Sequence, residues 1–284
     1  MLNISIVLYH PNWEQEVLPL LRELLRVKNL RKIYLLDNTE PSYSPQDGLT
    51  AQAILQQSGL TAQAVSRKLR YMAMPENLGY GKAHNIAIRE SAYHQTEIHL
   101  VINSDIRVSA EDIDAMHDFM MAHPSVGQLM PRVVNPNGTP QYLAKRLPSP
   151  LDVFGRRFLP KWMTEKRNER YELRDLDLSR PVNAPYLSGC FMMLRTQAVV
   201  EAGLFDERFF MYPEDIDLTR RIHRNYLTLY HPQWTIVHAH ARASYKNKHM
   251  LRIHIQNMCR YFHKWGWFFD PERRRFNTRL SNGR

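Results

Sequence analysis

The chain has 284 residues, of which 44% are hydrophobic and 23% charged, and its formal net charge is +10. This is ordinary globular composition, with room for one large domain or two small ones. No run approaches the ~18 consecutive apolar residues of a membrane span, and two cysteines are too few for a disulfide framework. The basic excess points to an anionic partner: nucleic acid, anionic lipid or a phosphorylated substrate. The opening MLNISIVLYHPNWE lacks the basic start and apolar length of a signal peptide, so a cytosolic chain with reduced thiols is expected.

Asn3 to Tyr9 is a short β-rich apolar run broken by His10-Pro11-Asn12, which reads as a buried strand. Trp13 to Val27 carries Leu18, Leu21, Leu24 and Leu25 at helical spacing. Lys32 to Leu36 reads as a second strand ending in Asp37-Asn38. A polar stretch from Thr39 to Gly48 and a helix-like segment from Gln52 to Leu60 follow. Leu69 to Met74 reads as a third strand, Asn77 to Ser91 as a loop opening into a helix, Ile98 to Ile102 as a fourth strand, and Ala110 to His123 as a helix. Strand–helix alternation of this kind predicts an α/β fold with a mostly parallel sheet. Ligands of such sheets bind beyond the carboxyl ends of the strands, where Asp37, Asn77 and Asp105 would converge. Leu147 to Pro181, basic and proline-containing, reads as an excursion from the same domain. Leu187 to Arg195 returns as a strand, Thr196 to Ala202 is a short helix, and Pro213 precedes a helix that starts with acidic residues.

Four constellations could carry chemistry. Asn103-Ser104-Asp105 follows an apolar strand, where an aspartate can hold a divalent cation against a diphosphate or simply serve as a turn or cap residue. NLGYGKAHN, Asn77 to Asn85, places glycines near a helix start, where backbone can approach a phosphate or nucleoside. Its spacing is neither of the common Gly-rich fingerprints, and a tight loop before a capped helix explains it equally. VHAHARAS, Val237 to Ser244, offers His238 and His240 on opposite faces of a strand, as a metal ligand or as structural imidazoles. In FMYPEDIDLTRRI, Phe210 to Ile222, Glu214, Asp215 and Asp217 sit within four positions. A well-capped helix with an exposed acidic first turn and Asp217 paired to Arg220 or Arg221 explains the cluster as well as a catalytic carboxylate does. Asp215 and Asp217 lie about 200° apart on a helix, so they cannot both face one substrate.

Taken in order, ISIVLYHPN, LLDNTE, NLGYGKAHN, VINSD, LSGCFMMLR, FDERFFMYPEDIDLTRR and VHAHARAS resemble the family 2 glycosyltransferases of GT-A fold. The likeness is to bacterial rhamnosyltransferase-type enzymes of O-antigen or capsule synthesis, and it spans roughly residues 4 to 262. The resemblance implies a Rossmann-like nucleotide-sugar-binding fold and an inverting, metal-dependent sugar transfer. Tyr9, Pro11 and Asp37 would bind the nucleotide, and Asn77, Gly79, Asn85 and Asn103 would lie near nucleoside and donor sugar. Asp105 and His238 (or its neighbour His240) would hold Mg²⁺ or Mn²⁺ on the diphosphate. Asn103 stands where the family's first metal-site aspartate usually is. Asp215 would be the general base and Glu214 its partner, with Asp217, Gly189 and Tyr212 on the acceptor side. The implied donor is dTDP-rhamnose, with a UDP-sugar for galactofuranosyl or hexosyl transfer as the alternative, and the acceptor a lipid-linked saccharide. A sugar nucleotidyltransferase is a further reading, though the first strand lacks the basic Gly-rich loop it needs. A nucleic-acid-binding protein would need a basic face on a recognisable module, which the charge distribution does not provide.

Residues 1–245 are expected to form the catalytic domain, with a donor half to about residue 106 and an acceptor half beyond it; 246–284 would be a basic, aromatic helical segment. There Met250, Ile253, Met258, Tyr261 and Phe262 suggest a helical face, Lys248, Arg252, Arg260 and Lys264 supply charge, and Trp265, Trp267, Phe268 and Phe269 follow. This pattern suits peripheral contact with anionic lipid on the inner face of the plasma membrane. The alternative is a helix packed on the catalytic domain.

Overall fold

The computed structural model describes residues 1–40, 67–155, 160–239 and 248–281. The helix-like segment from Gln52 to Leu60 and the second candidate histidine, His240, lie outside them.

Strands β1 (Leu2–Leu8), β2 (Leu30–Asp37), β3 (Leu69–Ala73) and β4 (Ile98–Ile102) pair in parallel in the order β3-β2-β1-β4. β1, β2 and β4 are mostly buried, as strands covered on both faces are, whereas β3 at the edge buries only Leu69. The short β5 (Ile106–Arg107) follows at once. Beyond β4 the sheet continues through β11 (Phe191–Arg195), β6 (Val126–Val134) and β12 (Leu227–His238), with β5 at the far edge. β11 runs antiparallel to both β4 and β6, whereas β12 is parallel to β6. The carboxyl ends of β1, β2, β4, β6 and β12 therefore share one edge with the start of β11. Two-residue strands complete the set: β7 (Pro140–Gln141) beside β6, β9 (Val182–Asn183) beside β12, and β8 (Ala144–Lys145) paired with β10 (Tyr186–Leu187).

The expected first helix is a π-helical turn, Trp13–Val17, leading into α1 (Leu18–Leu24), which buries Leu18, Leu21 and Leu24 against the sheet. Asn12 starts the turn by accepting a bond from the Gln15 amide at 3.1 Å. Then come α2 (Tyr80–Tyr93), α3 (Ala110–Ala122), α4 (Lys161–Tyr171), α5 (Thr196–Glu201) and α6 (Glu214–Ile222). Ser109 caps α3 through the Asp112 amide. β6 was not anticipated: VGQLMPRVV breaks its apolar run with Gly, Gln, Pro and Arg, yet all but Arg132 are buried. Gly127 is needed there because a Cβ would lie 2.6 Å from the Tyr226 side chain.

Between sheet and α2 runs a buried polar chain. Ser5 Oγ hydrogen-bonds His84 Nδ1 at 2.7 Å and His99 Nε2 at 2.8 Å, and Ser91 Oγ meets His99 Nδ1 at 2.7 Å. The 147–181 excursion is tied down by Arg146, whose guanidinium forks onto Asp175 at 2.7 and 2.9 Å.

The last two helices, α7 (Lys248–Trp265) and α8 (Pro271–Ser281), pack on the rest of the chain. Met258, Tyr261, Phe262 and Phe276 join Leu147, Tyr186, Phe209 and Ile216 in one apolar cluster. This corrects the expected lipid-facing stripe: Met258, Tyr261 and Phe262 are core residues, because α6 and the excursion offer them an apolar wall.

Candidate active site

The shared strand edge gathers the sequence motifs. Asp37 ends β2, where its carboxylate accepts hydrogen bonds from the Tyr71 hydroxyl (2.8 Å) and the Thr39 amide (2.9 Å). Tyr9, just past β1, is 53% exposed and meets the His10 ring edge-on, with Pro11 half-buried beside it. Asn77 accepts a bond from the Gly79 amide at 3.0 Å. Gly79 has φ of +78°, and a Cβ there would lie 2.2 Å from the Phe210 carbonyl oxygen. Only glycine tolerates both demands. The Tyr80 amide then donates to that same carbonyl at 2.9 Å. The NLGYGKAHN loop is thus fastened to the FMYPED block across more than a hundred residues of chain.

Asn85 lies deeper than expected. It is fully buried, its amide donates to the Phe205 carbonyl (2.9 Å) and Glu207 (3.0 Å), and its oxygen accepts from the Phe205 amide (3.0 Å). With that capacity used, it braces the segment before α6 and has no free group for a donor nucleotide.

At the end of β4, Asn103 accepts a bond from the Tyr80 hydroxyl at 3.2 Å. Asp105 meets His238, at the end of β12, with Oδ1 3.4 Å from Nε2. His238 Nδ1 lies 3.0 Å from Gln141 Oε1, which orients the ring. Burial alone would lower the His238 pKa, but hydrogen bonding to Asp105 and Cys190 raises it to about 10. A half-buried carboxylate facing an oriented imidazole fits a divalent cation such as Mg²⁺ or Mn²⁺. Among the described residues no three carboxylate, imidazole or thiol groups form a complete cage, so further ligands would come from substrate oxygens. A cavity of about 270 Å³ opens beside Asp105, lined also by Glu16, Glu23 and Ser104.

The acidic cluster opens α6, and the helix sorts its carboxylates. Asp215 is half-exposed towards the strand edge. Its Oδ2 accepts from the Gly189 amide at 2.9 Å and approaches the Tyr186 hydroxyl at 3.5 Å, and Oδ1 accepts from the Ile216 amide at 2.8 Å. Gly189 is wedged in place: a Cβ would lie 3.2 Å from Asp215 Cβ, and its carbonyl accepts from the Tyr80 hydroxyl at 2.6 Å. Burial raises the Asp215 pKa, against the lowering effect of the Gly189 and Ile216 amides and of Lys145. Glu214 is buried, and its Oε2 has no hydrogen-bond partner among the described residues. Burial, then repulsion from Asp215, pushes its pKa well up. Two carboxyls this close titrate as a coupled pair, and burial pushes both upward, Glu214 the further.

Asp217 is different. It is fully buried and enclosed by Arg221 (2.8 Å), the Trp265 indole N–H (2.8 Å) and Lys264 (2.6 Å). It pairs with Arg221, as the spacing suggested, and not with Arg220, which forks onto Asp270 at 2.6 and 2.7 Å and also reaches Glu272. As an acceptor-side candidate Asp217 is displaced: it faces the C-terminal helices and exposes no surface to a substrate. Tyr212 is half-exposed one residue before Pro213, its ring 5.0 Å from that of His254.

Two neighbours of Asp215 were not singled out from sequence. Lys145 lies over the Tyr171 and Tyr186 rings at 5.4 and 5.7 Å, and it is paired with Tyr186 across β8 and β10. Nothing in AKRLP links Lys145 to an aspartate seventy positions away; only the strand pairing brings them together. Tyr80 stood inside a quoted motif, but its bridge to Gly189 and Asn103 needs the fold.

No family model matches the sequence. The chain is 32% identical over 192 residues to the N-acetylglucosaminyl-diphospho-decaprenol L-rhamnosyltransferase of Mycobacterium tuberculosis, covering 62% of this chain and 60% of that protein. It is 26% identical over 166 residues to a low-salt glycan biosynthesis hexosyltransferase of Haloferax volcanii, covering 57% of this chain and 48% of that protein. The chain thus spans less than two thirds of the length of these curated relatives. Among solved structures, GalNAc-T7 with UDP, GalNAc and Mn²⁺ superposes with a TM-score of 0.57 at 16% identity over 84% of this chain and 43% of that one. S. aureus TarS with UDP-GlcNAc gives 0.54 at 16% identity over 88% and 60%. A Pyrobaculum calidifontis mannosyltransferase with GDP-Man and Mn²⁺ gives 0.51 at 16% identity over 86% and 58%. The chain has the GT-A fold and is similar in sequence to a rhamnosyltransferase.

Proposed function

We propose that this chain is an inverting glycosyltransferase that moves a sugar from a nucleotide-sugar donor, dTDP-rhamnose by preference, to a lipid-linked saccharide in cell-surface polysaccharide synthesis. The observation that carries this reading is Asp215: a carboxylate held by the Gly189 amide, on the same strand edge as Asp105 and His238. Inversion is a single in-line displacement at the anomeric carbon, and the acceptor hydroxyl needs one positioned base as it attacks. Asp215 takes that proton. Tyr80 and Gly189 keep its carboxylate aimed at the edge, and Lys145 stabilises its charged form.

On the donor side Asp105 and His238 would hold Mg²⁺ or Mn²⁺, which when bound stabilises the negative charge of the departing nucleoside diphosphate. Tyr9 and Asp37 would flank the base, and Asn103 the sugar–diphosphate. The name of the mycobacterial relative supports both rhamnose and a polyprenyl-diphosphate acceptor. UDP-sugar transfer is the second reading, favoured by the hexosyltransferase relative. Such an acceptor places the enzyme at a membrane face, although no helix among the described residues is long and apolar enough to cross one.

A thermal-shift screen against dTDP-, UDP- and GDP-sugars with and without Mn²⁺ tests the reading, followed by turnover of the best ligand. Stabilisation by dTDP-rhamnose that needs metal, and that is lost in Asp105→Ala, is the expected result. If no nucleotide sugar binds or turns over under any metal condition, the proposal fails.

A further inference from the structure

The turn between α7 and α8 displays two adjacent aromatic side chains to water. Phe268 is 81% exposed and Phe269 92%. The turn itself is tightly built. Gly266 adopts φ of +105°, and a Cβ there would lie 2.2 Å from the Phe269 carbonyl oxygen. The Gly266 amide donates to the Phe262 carbonyl at 2.8 Å. Arg273 donates to the Trp267 and Phe268 carbonyls at 3.2 and 3.3 Å. Asp270, next in the chain, is buried and clasped by Arg220. The backbone is therefore fixed while two large apolar rings project outward, an arrangement that marks an interaction site in a soluble chain.

The surroundings say what covers it. Trp267 stacks on Phe154 at 6.4 Å, and the π-helical turn Leu151–Gly155 that carries Phe154 also exposes Leu151. Arg167 ties α4 to that turn through Asp152 at 2.6 Å, and α4 begins with Trp162, 78% exposed. On the other flank, the His263 ring meets Trp267 at 5.5 Å and opens a cleft of about 740 Å³ lined by Arg208, Phe209, Cys259, Arg260, His263 and Lys264. Among the described residues no acidic side chain lines it, although Asp206 pairs with Arg208 and Lys264, and Asp217 with Lys264. From residue 248 to 281 eight lysines and arginines face two acids, and both acids are engaged by Arg220. An aromatic wedge beside a basic cleft is complementary to an anionic bilayer, where the rings enter the interface and the cations meet lipid phosphates. A second copy of this chain would have to bring the same positive charge to the same place.

We propose that the Gly266–Phe269 turn is a membrane wedge: Phe268 and Phe269 insert into an anionic phospholipid surface while the exposed Arg208 and Arg260 engage its headgroups. This rests on the proposed lipid-linked acceptor for its purpose, since such an acceptor is met at a bilayer. It keeps Phe268, Phe269 and Arg260 of the pattern that the sequence suggested and drops Met258, Tyr261 and Phe262, which are core.

The full chain is sedimented with vesicles of phosphatidylglycerol and phosphatidylcholine in roughly equal parts, and with phosphatidylcholine alone. The wild type is expected on the anionic vesicles. Phe268→Ser with Phe269→Ser should weaken partitioning about tenfold or more, and Arg260→Glu should remove most of the preference for anionic lipid. Phe268 and Phe269 are exposed, so the double variant should unfold like the wild type. Arg260 also donates to the Arg208 carbonyl and Asn257 at 3.1 and 2.9 Å, so Arg260→Glu is compared at equal folded fraction. Wild-type binding to anionic vesicles undiminished in the double variant overturns the proposal. So does a wild type that ignores vesicles and instead forms a dimer lost in the double variant, which would assign the surface to a second copy. Nucleotide-sugar hydrolysis without vesicles, measured alongside, should be equal in all three proteins. Its absence in the wild type would count against the transferase reading and leave the vesicle result intact.

Discussion

The two faces of α6 both carry carboxylates and treat them in opposite ways. On one face Glu214 and Asp215 are held by backbone amides, with Lys145 as the nearby cation among the described residues, and both are pushed towards protonation. On the other, Asp217, Arg220 and Arg221 are locked into Lys264, Trp265, Asp270 and Glu272, with Arg221 also bonded to the Ala202 and Leu204 carbonyls. Carboxylates fully paired with cations spend their charge on structure. Carboxylates buried next to each other with few cations keep a proton in play. Composition does not separate the two faces; the partners brought by the fold do.

The comparison breaks first at Asp215. Asp215→Asn should leave donor binding and unfolding nearly unchanged and lower turnover by about 10²–10⁴, roughly 3–5 kcal/mol of barrier. Asp217→Asn should do the reverse. Removing one partner of a buried ionic network costs about 3–5 kcal/mol of stability, seen as a lower denaturation midpoint, while the folded fraction should turn over at close to the wild-type rate. Should Asp217→Asn lose turnover with intact stability, the two faces have been assigned the wrong way round.

Much of this was legible before the structure. The parallel strands β1, β2 and β4 are continuous apolar runs, and the polar residues at their ends fall where ligands bind in such sheets. What was not legible depends on contacts far apart in sequence. β6 was hidden because its Gly127 and Gln128 answer to Tyr226 and the core, not to local propensity. Asn85 looked like a ligand contact because nothing in NLGYGKAHN reveals that Phe205 would claim both ends of its amide. The stripe of α7 looked free because its covering wall, Leu147, Tyr186 and Ile216, comes from three distant segments.

A smaller effect sharpens what burial does when no opposite charge compensates. His99 is enclosed beside Ser5 and Ser91, and burial lowers its pKa from 6.5 to about 3. It stays neutral in the fold while the unfolded chain takes up a proton below about 6.5. Its contribution is therefore complete above pH 6.5 and is lost as the pH falls towards 3. At pH 5 that amounts to about 2 kcal/mol, 1.5 pH units at 1.36 kcal/mol each. His84, also lowered by burial and by His99, adds in the same direction. Denaturant titrations at pH 7 and pH 5 should show the loss, and His99→Gln should flatten the difference even where it lowers stability at both.

The smallest expected effect is the most discriminating for the site. If Glu214 holds the proton of the pair, Glu214→Gln replaces a neutral carboxyl with a neutral amide of similar shape and changes little. Turnover near pH 7.5 should fall by less than about threefold, well short of the 10²–10⁴ expected of a lost general base. The acid limb of the pH profile, which reports Asp215, should stay above the ordinary aspartate range because burial is its first cause. If Glu214 is instead ionised at working pH, the amide removes a repelling charge 1 residue away from the base, and the acid limb should move to lower pH. The two profiles, recorded on one variant beside the wild type, decide which carboxyl of the pair carries the proton. A large loss of turnover with no shift of the limb would make Glu214, and not Asp215 alone, part of the base.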